Sequence, residues 1–300
     1  MTIESKPQRE MAIDPALVGA LLREQHPDLA GLPITDTSAG WDNHLFRLGG
    51  GLAVRLPRRA LAADLIVREQ RWLPVLAPSL PLPVPVPVRA GRPGCGFPWS
   101  WSVVPWFDGS TPGPTPSSDP TALALELGQF VRALHQPAPA DAPANPWRGV
   151  PLANRTASVH ERTRQLGGRV DGARIVAVWN EIVNTTPWPG PPLWLHGDLH
   201  PGNLLLRSGR ISAVLDFGDL TSGDPATDLS IAWMLLPASA RSAFRASARG
   251  ASTVIDDDTW VRARGWALAL GLVFFASSRD DAALEAVGRV AIDAALSSDV

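Results

Sequence analysis

Three oxygen-bearing side chains lie within one short stretch of this sequence. Asp198 and Asp216 each stand at the end of an apolar, strand-like run, and Asn203 lies between them. Mg²⁺ prefers oxygen ligands and takes few of them from the protein, while waters and substrate phosphates complete its octahedron. One amide oxygen with one or two carboxylates meets that requirement. The residue types therefore favour a magnesium site that handles phosphates.

The residues between these groups predict how they meet. Residues 204–206 and 211–215 are apolar strand candidates joined by a Ser-Gly turn, which is typical of a hairpin. Such a hairpin would bring Asn203 and Asp216 side by side. Asp198 would then be free to receive or orient the proton of an acceptor hydroxyl.

This stretch also matches a known sequence motif. The pattern H-x-D-L-x-x-x-N followed by D-F-G resembles the catalytic and metal-binding loops of the protein-kinase-like fold. The fuller strings HGDLHPGN, DFGD and GDPATDL are similar to those of the aminoglycoside phosphotransferase family, and the likeness extends over roughly residues 30–280. It implies an α+β fold with a small β-rich N-terminal lobe and a larger, mainly helical C-terminal lobe.

The resemblance also implies an activity. Members of this family move the γ-phosphate of ATP or GTP, with Mg²⁺, to a hydroxyl group of a small molecule. Asp198 would be the catalytic base, or at least the group that aligns the hydroxyl, and Asn203 and Asp216 would hold the metal. Supporting roles would fall to His196, His200, Asp224 and Asp228.

A cation on a strand is expected to bind the nucleotide phosphates. The matching position is Arg55, in the string AVRLP, and its expected partner is Glu69 on the following helix. The family more often has lysine here. Arginine keeps the charge and adds a planar fork that can bind phosphate through two hydrogen bonds, although the two residues are not equivalent. Similar strings occur in macrolide phosphotransferases, so the arginine does not imply an inactive protein.

Two further segments are expected to contact the nucleotide. The turn between the first two strands should cover the phosphates, by its position rather than by a glycine-rich pattern, with Gly40, Asp42 and Asn43. The purine should lie against the hinge formed by Val104, Pro105 and Phe107. Because proline has no N–H, Phe107 is the expected donor to the base.

Periodicity and turn residues predict the elements that carry these groups. Predicted helices span 14–25, 61–76, 121–135, 153–166 and 174–184, and predicted strands span 32–38, 44–48, 52–56, 99–104, 193–195, 204–206 and 211–215. The alternating prolines of 80–88 predict a stiff extended connection, since proline cannot donate to a sheet ladder. The expected domains are an N-terminal lobe (1–104), a hinge (105–109) and a C-terminal lobe (110–300), and a Pro/Ser/Thr/Gly-rich stretch at 110–120 is the expected boundary.

The bulk composition narrows the class of protein. Of the 300 residues, 45% are hydrophobic and 19% charged, which is typical of a globular enzyme. The net charge of -2 provides no global basic field, so nucleic acid is not an expected partner. A single cysteine, Cys95, fits a reducing compartment. The N-terminus lacks the pattern of a signal peptide, and the apolar stretch 266–276 is too short to span a bilayer. We expect a cytoplasmic protein without membrane contact.

Several alternatives remain open from the residues alone. His196, Asp198 and His200 would share a face on a strand and could chelate zinc in a hydrolase, although the proline and glycine that follow favour a loop. A nucleotide-binding pseudokinase without transfer activity is another reading. The acceptor could be a cationic aminoglycoside, a macrolide or a non-antibiotic metabolite. The three aspartates at 256–258 could cradle a polyamine, but a helix cap is the more usual role. The oligomeric state is not predicted.

Overall fold

A computed structural model describes residues 8–113, 119–250, 255–278 and 281–297 of the chain. Its N-terminal part is built on an antiparallel sheet of five strands in the order β1-β2-β3-β5-β4. The strands are β1 (Ile34–Ala39), β2 (Asn43–Leu48), β3 (Leu52–Pro57), β4 (Arg89–Gly91) and β5 (Trp101–Pro105). The β2–β3 hairpin turns at three consecutive glycines, as predicted, and Gly49 takes the left-handed φ of 59° that this turn needs.

Two helices accompany this sheet, α1 (Pro15–Gln25) and α2 (Ala60–Leu76). Asp14 caps α1 by accepting a hydrogen bond of 2.8 Å from the Leu17 N–H. One face of α1 is buried in an apolar cluster with the inner face of the sheet; its members include Leu21, Leu22, Phe46, Val54 and Trp101. Each fully buried side chain of this size contributes roughly 1.5–3 kcal/mol. Packing in this cluster therefore fixes the position of the sheet and of the side chains that β3 carries.

The rest of the chain is mainly helical. Its helices are α3 (Pro120–Leu134), α4 (Thr156–Leu166), α5 (Gly172–Ile182), α6 (Ala226–Leu229), α7 (Ile231–Leu235), α8 (Ala238–Arg249), α9 (Asp257–Ser277) and α10 (Ala282–Ser297). The helix α9 is apolar on nearly every face and lies at the centre of a second hydrophobic core. Asp256 caps it, accepting a hydrogen bond of 2.8 Å from the Thr259 N–H, so the cap interpretation of the acidic run is confirmed for this residue.

Two small antiparallel sheets are inserted among these helices. They pair β6 (Leu193–Leu195) with β9 (Thr221–Gly223), and β7 (Leu204–Arg207) with β8 (Arg210–Val214). The strings HGDLHPGN and DFGD lie in the loops that connect these four strands. No helix in the described ranges is both long and apolar enough to cross a lipid bilayer.

The sequence predictions of secondary structure are confirmed for most elements, and residues 80–88 form neither helix nor strand, as expected for a proline-rich connection. Two strands were missed, β4 and β9, because three residues are too few for an alternating pattern and each strand depends on a distant partner. The fifth predicted helix is shifted toward the N-terminus because Asp171 caps it, accepting a hydrogen bond of 3.0 Å from the Arg174 N–H. Part of the predicted boundary at 110–120, residues 114–118, lies outside the described residues.

Candidate active site

The loop after β6 is bonded through its backbone to one buried carboxylate, that of Asp228. Asp228, at the start of the helical segment, has no exposed surface and accepts hydrogen bonds of 2.8 and 2.9 Å from the backbone N–H groups of His196 and Gly197. The His135 ring donates a further bond of 3.1 Å to the same carboxylate. The predicted supporting residue Asp228 thus ties the loop to two helices, because hydrogen bonds to a charged group are the strong ones.

The imidazole of His196 links the loop to the end of β8. Its Nε2 donates a hydrogen bond of 2.9 Å to the Leu215 carbonyl, and its Nδ1 accepts one of 3.3 Å from the Asp198 N–H. Both ring nitrogens are therefore engaged. Nδ1 of His200 likewise accepts a bond of 3.1 Å from the Gly202 N–H. Among the described residues, no three His, Cys, Asp or Glu side chains form a group suited to a metal, so the geometry gives the zinc hydrolase reading no support.

Asn203 and Asp216 meet through the β7–β8 hairpin, as the sequence predicts. Leu204 pairs with Val214 across the hairpin, and the Leu215 N–H donates a bond of 2.8 Å to the Asn203 carbonyl. The backbone of Asp216 then turns into the left-handed region, with φ of 59°. This conformation is uncommon for residues other than glycine and often marks a functional site.

The donor set of this hairpin fits a magnesium ion. The amide nitrogen of Asn203 donates a bond of 2.9 Å to the Asp198 carbonyl, which leaves the Oδ1 atom of Asn203 available. The Asp216 side chain is about half exposed. One amide oxygen and one carboxylate, both neighbouring open space, match the small number of protein ligands that Mg²⁺ takes when nucleotide phosphates supply the rest.

Arg55 lies between two carboxylates. Its NH1 atom contacts both oxygens of Glu69, at 3.0 and 2.8 Å, and its NH2 atom contacts Asp216 Oδ1 at 3.3 Å. Arg55 and Glu69 are both buried. Burial is the main reason that the pKa of Glu69 is raised to about 7. The positive charge of Arg55 lowers this pKa, and the negative charge of Asp216 raises it further. The predicted cation and helix glutamate are therefore joined, and Arg55 connects them to the predicted metal-binding residue.

The Asp198 carboxylate also has two basic neighbours, an arginine and a histidine. Its Oδ1 lies 3.1 Å from Arg148 NH2, and its Oδ2 lies 3.4 Å from His200 Nε2. Burial by itself would raise the pKa of Asp198, but His200 and then Arg148 more than offset burial and hold the pKa well below its ordinary value. Asp198 is therefore a carboxylate that stays ionised and accepts hydrogen bonds.

Sequence reasoning missed the loop that supplies Arg148. The side chain of Asn145 in this loop donates a hydrogen bond to the Asp219 carboxylate. The N–H of Gly149 donates a hydrogen bond of 3.1 Å to the Thr227 hydroxyl, so both ends of the loop are bonded to the segment that follows β8. Burial raises the pKa of Asp219, and the charge of Asp198 raises it further. Asp219 closes the quoted DFGD string and could have been singled out, whereas Arg148 stands in no motif.

The turn over the expected phosphate position is closed by a bond of 2.8 Å from the Gly40 N–H to the Asn43 carbonyl. The Asp42 carboxylate is occupied by Arg59, whose NH2 atom lies 2.6 Å away. Arg58 donates a bond of 2.6 Å to the Gly40 carbonyl. The sequence reasoning named the turn residues but missed both arginines that brace them.

The hinge continues β5 into the helical part. Val104 is buried in the strand, opposite Ala53, and the Trp106 N–H donates a bond of 2.9 Å to the Gly51 carbonyl. Within the described ranges, the backbone N–H of Phe107 has no hydrogen-bond partner. That free donor next to Pro105 is the arrangement expected where a purine edge is bound.

The predicted supporting residue Asp224 lies deeper in the fold. Its carboxylate contacts Arg262 on α9, with Oδ2 2.7 Å from Nε, and it accepts a bond of 3.0 Å from the Ala226 N–H. Both side chains of the Asp224–Arg262 pair are buried. Asp224 therefore anchors the segment after the DFG motif to the central helix rather than touching the catalytic loop.

Comparison with known proteins agrees with this geometry. Residues 33–266 match the family model described as the phosphotransferase enzyme family, APH. No curated protein sequence matches the chain significantly.

Solved structures with the same fold include three informative ones. The GDP complex of wild-type aminoglycoside 2'-phosphotransferase-IIIa shares 17% identity at a TM-score of 0.68, covering 94% of this chain and 99% of that one. The apoenzyme of macrolide 2'-phosphotransferase MphH from Brachybacterium faecium shares 21% identity at a TM-score of 0.62, covering 95% and 98%. The streptomycin-ATP-APH(2'')-IIa ternary complex shares 16% identity at a TM-score of 0.59, covering 93% and 95%. The likeness shows a common fold with two lobes.

Proposed function

Because this chain belongs to the APH phosphotransferase enzyme family, we propose that it transfers the γ-phosphate of ATP or GTP to a hydroxyl group of a small molecule. The observation that carries the proposal is the convergence of Asp198, Asn203 and Asp216 beside the buried Arg55–Glu69 pair. A complete set of these groups favours transfer over a pseudokinase that only binds nucleotide.

The nucleotide is bound from the side of the N-terminal sheet. Arg55 directs its charge toward the α- and β-phosphates, and Glu69 holds its guanidinium in place. The turn of Gly40, Asp42 and Asn43 covers the phosphates, and the free N–H of Phe107 binds the purine. Positioning and charge neutralisation of this kind account for most of the catalysis in phosphoryl transfer.

Asn203 and Asp216 are the residues that would hold Mg²⁺ against the phosphates. The Oδ1 atom of Asn203 is left available, and the Asp216 carboxylate keeps exposed surface beside Arg55. When bound, the ion supplies neutralisation of the negative charge on the phosphate oxygens.

Asp198 aligns the acceptor. Its low pKa makes it a weak base, so its main contribution is to accept a hydrogen bond from the hydroxyl and direct the oxygen at the γ-phosphorus. The bond from the hydroxyl oxygen to phosphorus forms while the bond to the β,γ-bridging oxygen breaks. The nucleoside diphosphate leaves, and the hydroxyl proton passes to the Asp198 carboxylate.

The acceptor class follows from the family. Structures with this fold include a kanamycin complex, a gentamicin complex and macrolide 2'-phosphotransferases, so an aminoglycoside, a macrolide or another hydroxylated compound is the proposed substrate. The short path from the DFG motif to α6 leaves no room for a long activation segment, which favours a small molecule over a protein.

A panel of acceptors assayed with MgATP and with MgGTP tests the proposal. Release of nucleoside diphosphate that depends on one acceptor, with a phosphorylated product identified by mass spectrometry, is the expected result. Magnesium-dependent nucleotide binding without phosphorylation of any acceptor and without hydrolysis would instead establish the pseudokinase alternative.

A further inference from the structure

One buried arginine, seven positions after Arg148, forms no ion pair with a carboxylate in the described ranges. Arg155 is 6% exposed, its Nε has no hydrogen-bond partner, and no carboxylate within the described ranges forms an ion pair with it. Burial lowers the pKa of Arg155, and the charges of Arg148 and Arg162 lower it further. Arginine nonetheless stays charged in proteins, so Arg155 is a largely buried cation that no described carboxylate neutralises.

The neighbours of Arg155 are aromatic rather than acidic. Its guanidinium lies over the rings of Trp147, at 5.7 Å, and Trp266, at 5.9 Å. Such cation–π contacts offset only part of the cost of burying a charge. Trp147 is 62% exposed, so one wall of this environment is open. An exposed aromatic ring offers a flat apolar surface, and the arginine beside it offers a charge and hydrogen-bond donors to an anion.

The same surface reaches the catalytic carboxylate. Trp147 is followed directly by Arg148, which contacts Asp198, and the Nε of Arg148 is also buried without a partner. Arg162, on α4, lies seven positions after Arg155, which immediately precedes that helix, and it donates a hydrogen bond of 2.6 Å to Ser277. Within the described ranges Arg162 has no ion pair.

One face of α9 joins these groups to the catalytic loop. Trp266 contacts Arg155, Ser277 contacts Arg162, and the tilted rings of Phe274 and His200 have centroids 5.1 Å apart. At 3.6 residues per turn, these three positions of α9 lie within about 80° of one another. This face of α9 therefore contacts two arginines and, through Phe274, the histidine that lies 3.4 Å from Asp198.

Three acidic residues on or next to α9 already have partners. Asp256 caps α9, Asp257 pairs with Arg245, and Asp224 pairs with Arg262. These three carboxylates are therefore engaged within the protein rather than free to receive a cationic acceptor.

From this arrangement we propose that Arg155, with Arg162 and Trp147 beside it, binds an anionic group of the acceptor, a carboxylate or a phosphate. The inference rests on the proposed function, because it identifies the class of molecule whose hydroxyl Asp198 aligns. An anionic group on a hydroxylated acceptor should accordingly strengthen its binding beside the site of transfer.

Binding of small probes to the full chain tests this site. The chain is first saturated with Mg²⁺ and a non-hydrolysable nucleoside triphosphate, so that the nucleotide phosphate sites are filled. Inorganic phosphate, glucuronate, glucose and glucosamine are then titrated by calorimetry at constant ionic strength. We expect saturable binding of phosphate or glucuronate, with the stronger of the two identifying the anionic group, and weaker binding of glucose and glucosamine.

Substitutions locate the site. Arg155→Gln should weaken binding of the anionic probe by about tenfold or more, the loss expected for a hydrogen bond to a charged group. Arg164→Gln is the matched control, because Arg164 lies on the same helix with its side chain 74% exposed and paired with Glu161. Arg162→Gln provides a second variant on the proposed face should Arg155→Gln fail to fold.

Two outcomes overturn the inference. The first is that neither anionic probe binds saturably to the wild-type chain, and the second is that both arginine variants bind the probe as well as Arg164→Gln does. Magnesium-dependent nucleotide binding and hydrolysis by the wild-type chain are measured in parallel. If these activities are present while anion binding is absent, the proposed function stands and only the acceptor class is wrong.

Discussion

The side-chain amide of Asn203 donates a hydrogen bond of 2.9 Å to the backbone carbonyl of Asp198. Because a carbonyl can only accept, this contact orients the amide and leaves its oxygen for a cation. The proposed catalytic and metal-binding residues are thereby coupled through one bond. A change of the Asn203 side chain would remove this bond, whereas a side-chain change at Asp198 leaves its backbone carbonyl in place.

Asp198→Asn should lower turnover by roughly a hundredfold or more, because the variant cannot receive the hydroxyl proton. Nucleotide affinity should stay near the wild-type value, since Asp198 faces the acceptor. Steady-state kinetics and calorimetric titration of nucleotide check the two halves of this prediction. Asp64→Asn, an exposed position on α2, serves as the control. Near-normal transfer by the Asp198 variant would refute the assigned role.

Asp216→Asn should raise the Mg²⁺ concentration needed for half-maximal activity by roughly tenfold or more, a loss within the range seen when even supporting residues of metal sites are changed. Asparagine tolerates the left-handed backbone that Asp216 adopts at φ of 59°, so the fold should persist. Activity measured against Mg²⁺ concentration for the variant and the wild type tests this prediction. An unchanged requirement would show that the metal is held elsewhere.

Arg55→Lys should raise the KM for nucleotide by about tenfold and leave some transfer activity. The arginine uses separate nitrogens for Glu69 and Asp216, and one lysine nitrogen cannot reach both in the same way. Arg207→Lys, at the exposed end of β7, is the matched control. Equal nucleotide KM values for the two variants would contradict the role given to Arg55.

Glu69 should make stability depend on pH in the chain without nucleotide or Mg²⁺. Its pKa rises from 4.5 to about 7 on folding, so the folded state binds more protons between these values. The contribution of Glu69 to the free energy of unfolding is therefore full below pH 4.5 and declines as the pH rises to about 7. The decline should be on the order of 1–3 kcal/mol.

Urea unfolding of wild type and Glu69→Gln across this pH range measures that contribution. The difference in unfolding free energy between the two proteins should fall with rising pH, because glutamine does not titrate. A difference that stays constant, or that grows with pH, would show that Glu69 remains ionised in the folded chain throughout.

Asp228→Asn should lower the free energy of unfolding by about 2–4 kcal/mol, because one buried carboxylate accepts bonds from His196, Gly197 and His135. An amide nitrogen in place of one oxygen would face donors rather than acceptors. Asp141→Asn is the control, since Asp141 forms an exposed ion pair with Arg71, and such pairs contribute little. Equal stability of the two variants would rule out the anchoring role.

The sequence by itself determined the groups whose contacts are local in the chain. Asn203 and Asp216 meet because a hairpin of apolar strands with a Ser-Gly turn connects them, and both strands could be read from the residues. The Arg55–Glu69 pair was foreseeable through the family resemblance, which matched one residue on a strand and the other on the next helix. Short-range hydrogen bonding and periodicity dictate such contacts with little help from the rest of the fold.

Only the tertiary structure decided which distant residues complete the site. Arg148 reaches Asp198 from a loop fifty positions earlier in the chain, and Arg155 acquires its unpaired charge from helices that pack around it. The bond from Arg262 to Asp224 is equally remote in sequence. No motif records these contacts, because the packing of helices against α9 creates them, and packing depends on the shape of the whole core.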